Sequence, residues 1–510
     1  MFSVNMKTKM IGLSFLLCLF PGIDLFAGTQ KNAVDVRLLF DKQQPLRQNC
    51  FGANNNLLGR PFTYSQPDFA NKYIEAHRPF IRYPGGTGAN YLNPLTGHSE
   101  PRDITAKSKK KTQNKKREDP SEFFRFVKKT QATYSLVMNL CTVSIQDNKR
   151  WLQSLASQGV RPEYFELGNE LYFGSYSRFY PSGDDYVKAA KDYAGMIRSI
   201  FPQAKIGVVI SSNYYTKESF LPDDKTNSKK RHANWVISLR NQDFYDAVII
   251  HTYSNTGMDN KVAKADFVPY QEAYMHAISH ADGKLKTSLE IVSDHFPDKE
   301  IWVTEYGIGG FGGDLRNYRL RYSYAGMLHS SLMLLKFLSM PEVEISSWHS
   351  FIQLLSYSQK NVTDETVFKT KNGYELFRLI GLAVRQSDKY IPVSLEGVNN
   401  YRGHGKHKGS FKELEAGCFV DEGNKSAYLV LLNKTASTYR LGTILGAPND
   451  KSGSVYLDSG IMLMPRQDIA LEKAIEDEDI MTKKLIKAND VEKIEIKPYS
   501  LTSIKIRIAE

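Results

Sequence analysis

The chain has 510 residues, 41% hydrophobic and 24% charged, an ordinary globular composition with room for a large core. Lys and Arg number 67 against 55 Asp and Glu, a net charge of +12; this suits anionic partners, but no nucleic-acid-binding motif accompanies it, so a nucleic-acid partner is not expected. Four cysteines, far apart, make neither a disulfide framework nor a zinc spacing.

Residues 1–27 read as an export signal: Lys7 and Lys9, an apolar run from Met10 to Phe20, and a small-residue exit at Leu25-Phe26-Ala27. The apolar run is too short to span a bilayer. Leu16-Leu17 before Cys18 does not fit a lipoprotein signal. The expected location is therefore secreted, periplasmic or at the cell surface, without stable membrane insertion.

Val34 to Asp41 alternates apolar and polar residues like a strand with one buried face. Phe51-Gly52-Ala53-Asn54-Asn55 reads as strand one of a larger unit. Strand two, Pro79 to Gly86, carries Arg82 and leaves through Pro84-Gly85-Gly86, which forces a sharp exit. A helix over Pro120 to Tyr134 leads to strand three, Tyr134 to Cys141, and another over Gln146 to Gln158 stops at Gly159. Strand four contains Tyr164-Phe165-Glu166-Leu167-Gly168-Asn169-Glu170. A helix over Asp184 to Phe201, strand five over Lys205 to Ile210 and strand six over Ala247 to Tyr253 follow. A helix from Val268 to Leu289 precedes strand seven, Ile301-Trp302-Val303-Thr304-Glu305-Tyr306-Gly307. Strand eight is Glu344 to His349.

Eight strands with helical spacers make an α/β protein, a (β/α)8 TIM barrel over residues 45–390. From 391 to 510 the pattern changes to short strands without helical spacers, including Ala427 to Asn433, Ser454 to Leu457 and Ser500 to Ile508, as in a C-terminal β-sandwich. Residues 28–44 precede the first barrel strand and are expected to add a strand to that sandwich. The loops after barrel strands build the active face. Two basic stretches fall in such loops: Arg102 to Arg117 after strand two, and Lys225 to His232 after strand five. A third runs from Arg402 to Lys408.

Strands four and seven each end an apolar run on a carboxylate. Two carboxylates from different strands suit glycoside hydrolysis, where one acid protonates the leaving oxygen and another attacks or stabilises the sugar cation. Phe165-Glu166-Leu167-Gly168-Asn169-Glu170 resembles the acid/base strand of clan A glycoside hydrolases, especially family 51 (arabinofuranosidases) and family 79 (heparanases and β-glucuronidases). Trp302-Val303-Thr304-Glu305-Tyr306-Gly307 resembles that clan's nucleophile strand.

The resemblance implies Glu170 as acid/base and Glu305 as nucleophile of a retaining double displacement, with carboxyl groups roughly 5–5.5 Å apart, against roughly 6.5–9.5 Å for inversion. It further implies that Arg82 and Tyr253 support Glu305 and that His251 lies near the nucleophile; Asn169 is placed to meet the sugar 2-hydroxyl, and Trp348 on strand eight to form a sugar platform. His251 and His349 read equally well as structural hydrogen-bonders. Glu166, four residues before Glu170, reads as a deeper, paired structural acid. No cofactor and no metal is expected.

The substrate expectation is a polysaccharide, anionic because two lysine-rich loops would face the cleft. A neutral arabinoside is the alternative. A non-catalytic carbohydrate-binding protein on a barrel scaffold is the alternative of another class.

Overall fold

The computed structural model describes residues 32–55, 64–99, 119–211, 227–254, 256, 270–309, 319–358, 367–403, 409–446, 455–466, 481–487 and 494–508. The export signal, the basic stretch 102–117 and most of the third basic stretch lie outside the described residues. None of the described helices is long and apolar enough to cross a membrane.

Eight parallel strands close into a barrel: β1 Gly52–Asn54, β2 Phe80–Tyr83, β3 Tyr134–Val137, β4 Tyr164–Leu167, β5 Lys205–Val209, β6 Ala247–Ser254, β7 Glu300–Ile308 and β8 Val343–Trp348. Pairing of Trp348 with Ala53 joins β8 to β1. Runs such as Ala247-Val248-Ile249-Ile250 are apolar on both faces because the barrel wall is covered on both sides.

The helices α1 Pro67–Glu75, α2 Pro120–Thr130, α3 Ile145–Ser157, α4 Gly183–Ile200, α5 Asn227–Leu239, α6 Tyr270–His295, α7 Tyr324–Leu338 and α8 Asn372–Arg385 follow the strands in turn. Local chemistry sets their starts. Asp119 accepts from the amide of Ser121 ahead of Pro120, and Ser182 and Asp185 form a reciprocal capping box on α4. The barrel interior is filled in the same local way: a Cβ on Gly207 would lie 2.7 Å from the Trp302 ring, so glycine on β5 makes room for the indole of β7.

The second unit has two sheets. In the four-stranded one, Asn32–Leu38 lies between Val393–Glu396 and Tyr439–Leu445, so the strand seen at Val34 joins sheet partners from the far end of the chain. The seven-stranded antiparallel sheet takes in Gln44–Pro45 and Lys389–Ile391 as well as Leu414–Val420, Ser426–Asn433, Leu501–Ile508, Val455–Pro465 and Met481–Lys487. Val34, Val36, Leu429, Leu431, Leu441, Ile504 and Ile506 pack between the sheets. Val430, Leu432 and Leu501, on the other face, join the barrel core.

Polar contacts pin the same seam. Lys336 of α7 pairs with Asp282 of α6 at 2.7 Å and Glu415 at 3.2 Å, while the fully buried Lys434 lies 3.4 Å from both acids. Tyr324 donates to the carbonyl of Tyr499 at 2.8 Å.

Two expectations are corrected. The described part of the Lys225 to His232 stretch, residues 227–232, is not a loop over the cleft, since α5 begins at Asn227. Arg231 donates to the carbonyls of Leu171, Tyr172, Tyr180 and Pro181 at 2.7–3.1 Å. His232 is buried, with Nδ1 2.6 Å from the Ser211 hydroxyl. Arg231 therefore holds the loop after β4, and the His232 ring packs on Tyr172 and Phe173 of that loop, leaving Lys230 exposed. Trp348 is no platform either. Its ring is fully buried beside Phe377, and Nε1 donates to Gln353 at 2.8 Å.

Candidate active site

At the C-terminal end of the barrel the predicted residues converge on Glu305. Arg82 of β2, itself fully buried, donates from Nη1 to Glu305 Oε1 at 2.7 Å, from Nε to Glu166 at 2.8 Å and from Nη2 to Asn169 Oδ1 at 2.8 Å. Glu166 also accepts from Ser135 at 2.8 Å. It is the buried, paired structural acid expected. Tyr253 donates to Glu305 Oε2 at 2.5 Å.

The backbone aims both acids. On β7 the register with β6 slips between Val303 and Glu305, leaving Thr304 as an extra residue. This bulge turns Glu305 inward and sets the Thr304 hydroxyl 3.2 Å from His251 Nε2. Strand β4 stops at Leu167; Gly168 has φ 86° and Glu170 φ 51°, so Glu170 stands on a turn rather than on the strand. His251 Nδ1 is 2.9 Å from Glu170 Oε1 and 3.6 Å from Glu305 Oε2. The three donor atoms of Glu170, His251 and Glu305 all lie within 4.8 Å of one another. Such a trio could converge on a cation, but the permanent charge of Arg82 on Glu305 makes it a poor one.

Electrostatics separates the two acids. Burial raises the Glu305 carboxyl, but the His251 imidazole, the Arg82 guanidinium and the Tyr253 hydroxyl outweigh it and hold it well below the usual carboxylate range. His349 is itself uncharged at neutral pH, since burial takes its pKa down to about 3. The fixed positive charge beside Glu305 is therefore that of Arg82. Glu170 is part-exposed, 22% by side chain against 7% for Glu305, and faces the cleft.

Sequence reading missed two amides. Asn54, at the end of β1, donates to Glu305 Oε1 at 3.2 Å. Asn90 grips the backbone of Asn169 twice, accepting from its amide at 2.9 Å and donating to its carbonyl at 2.7 Å. The amides closing strand one were visible in the sequence, but nothing there tied them to Glu305. Asn169 is left with a buried Nδ2 that has no acceptor among the described residues.

Gly85 makes the Asn54 contact possible. Its φ is 77°, and a Cβ would lie 2.2 Å from Asn54 Oδ1 and 2.6 Å from the Asn55 carbonyl. Gly85→Ala is expected to lose about 1–3 kcal/mol of stability in urea unfolding and at least about tenfold in turnover as the amide is pushed off the carboxylate. Wild-type behaviour in both measurements would contradict this.

No protein-family model matches the sequence, and no curated protein matches it. Solved structures do. The GH51 arabinofuranosidase from Xanthomonas axonopodis pv. citri aligns with a TM-score of 0.65 and 15% identity, over 94% of this chain and 100% of its own. The α-L-arabinofuranosidase from Thermotoga maritima, in an arabinose complex, gives 0.63 and 15% over 93% and 100%. A Paenibacillus polymyxa xyloglucanase from glycoside hydrolase family 44 gives 0.58 and 10% over 93% and 100%. The chain has the fold of these glycosidases. At such identities the likeness concerns fold, barrel and sandwich together, and the chemistry rests on the side chains just described.

Proposed function

We propose that this protein is a retaining glycoside hydrolase with Glu305 as nucleophile and Glu170 as acid/base. The observation that carries the reading is the pair itself: two carboxylates at the barrel rim, one on the turn after β4 and one on β7, their oxygens within 4.8 Å, one held ionised and the other facing the cleft. That separation lies on the side of double displacement, since inversion needs room for a water between the acids.

In the first step a Glu305 oxygen bonds to the anomeric carbon as the glycosidic C–O bond breaks, and Glu170 passes its proton to the departing oxygen. In the second, Glu170 takes a proton from water while the water oxygen bonds to the same carbon, and Glu305 leaves as a carboxylate. Arg82, Asn54 and Tyr253 bind the carboxylate at the beginning and end of this cycle. The free Nδ2 of Asn169 is placed to donate to a sugar hydroxyl. Residues 1–27 would export the enzyme to its substrate.

On substrate, a neutral glycan carrying arabinofuranosyl or related units is favoured, because Arg231 and His232 are spent inside the fold and similar structures include arabinofuranosidases. The acidic-glycan reading keeps one observation, the lysine-rich stretch that follows β2 in the sequence. A panel of aryl α-L-arabinofuranosides, aryl β-D-glucuronides and sulfated or uronic-acid polysaccharides separates the two. Product configuration is followed by proton NMR. Retention supports the mechanism, and inversion overturns it. Absence of any hydrolysis, with glycan binding intact, would favour the binding-protein alternative.

A further inference from the structure

One buried cation stands behind the Oε2 side of Glu305 without touching it. Arg321, 3% exposed, precedes α7. Its Nη2 hydrogen-bonds Nδ1 of His349 and donates to the His349 carbonyl at 3.2 Å, and its guanidinium lies 5.4 Å from the centre of the Tyr253 ring. The backbone is locked as well. The Arg321 carbonyl accepts from Gln353 at 3.1 Å, and Gln353 in turn holds the buried Trp348 indole. Gly326 is needed there, because a Cβ would come within 2.5 Å of the Arg321 carbonyl oxygen.

A guanidinium has donors and no acceptor. Nδ1 of His349 must therefore present its lone pair to Arg321, which places the ring proton on Nε2. That nitrogen is the one facing Glu305 Oε2, at 3.8 Å. We propose that Arg321 is a positioning residue for the displacement step: it holds His349 uncharged, in the Nε2–H tautomer aimed at the nucleophile, and fixes the Tyr253 ring beside it. The proposal rests on the reading of Glu305 as nucleophile. An imidazolium at this place would pair with Glu305 and weaken its attack on the anomeric carbon; a neutral N–H orients the carboxylate without that penalty.

The groups facing His349 come from every side: Glu305 of β7, Tyr253 and His251 of β6, Arg82 of β2, and Arg321. Burial is the main influence against protonation, Glu305 favours it, and Arg321, His251 and Arg82 oppose it. Removing Arg321 takes away a fixed charge and the donor to Nδ1 together. Protonation of the ring then becomes easier as pH falls, with burial still opposing it.

The test uses the full chain labelled with ¹⁵N at histidine, with His349→Gln identifying the His349 signals. Arg321→Met and Arg321→Lys are compared with wild type. In wild type, His349 is expected to stay neutral with its proton on Nε2 from about pH 5 to 8. In Arg321→Met its pKa should rise from the wild-type value, though only part-way to that of a free imidazole, because burial remains. Turnover of the variant should then fall several-fold more than wild type between about pH 6.5 and 4.5. Arg321→Lys should restore the neutral ring and most of the profile.

A wild-type His349 that titrates in this range overturns the proposal. So does an Arg321→Met enzyme slowed by one factor at all pH values, with His349 still neutral. The NMR result needs no turnover, so failure of the glycosidase reading, seen as no hydrolysis by wild type, is distinguishable from failure of this one.

Discussion

Glu305→Ala is expected to lower turnover by on the order of 10⁴ or more on every glycoside the wild-type protein cleaves, because no other described oxygen can bond to the anomeric carbon in its place. Glu170→Ala should behave differently. With a leaving group that needs protonation the loss should be comparable. With a nitrophenolate, which departs unaided, formation of the glycosyl-enzyme survives and its hydrolysis becomes slow, so a burst of phenolate precedes a slow steady state. Added azide should then rescue Glu170→Ala by attacking the trapped sugar with retained configuration, and should not do so through Glu305→Ala. If both variants respond identically to leaving group and azide, the two roles are wrongly divided.

Arg82 carries the second large effect. It joins Glu166, Glu305 and Asn169 through three separate nitrogens in a fully buried position. Arg82→Met would leave two acids buried without their cation, and stability in chemical unfolding is expected to drop by about 3–5 kcal/mol. Arg82→Lys keeps the charge but cannot fork to three acceptors, so it should recover part of the stability and little of the turnover. Replacing Glu166 by Gln in the Arg82→Met background should return some stability, since one uncompensated charge is gone. If Arg82→Met unfolds at the wild-type denaturant concentration, the charge accounting at the barrel centre is wrong.

Much of this arrangement could be seen in the sequence because parallel barrel strands are continuous apolar runs, and a carboxylate at the end of one is conspicuous. Asn169-Glu170 and Glu305 stand out in that way, Arg82 and Tyr253 through the resemblance to clan A strands, and the structure brings them together. Trp348 failed for the same reason. It too ends an apolar run, but Gln353, five residues on, satisfies its indole and seals it inside. The Lys225 to His232 stretch looked like a loop because local charge hides the apolar face that Trp235, Val236 and Leu239 give α5.

The bulge at Thr304 and the turn at Glu170 leave no pattern that strand periodicity detects. Each depends on the neighbouring strand's hydrogen bonds. Arg321 is more hidden still, since its partners come from β6 and from beyond β8, and no short motif contains them.

The placement of Asn32–Leu38 bears on the order in which the molecule can assemble. That strand leaves the ribosome early, yet its neighbours, Val393–Glu396 and Tyr439–Leu445, are made only after the whole barrel. Through most of synthesis it is an unpaired edge with Val34 and Val36 uncovered, the kind of segment that invites wrong pairing. Completion of the smaller unit therefore waits on the last part of the chain, and closing so distant a pairing makes the final folding step slow compared with the local strand-helix-strand contacts of the barrel. A chain cut short between Arg385 and Val393 would keep its catalytic side chains and lack both partners that its first strand requires.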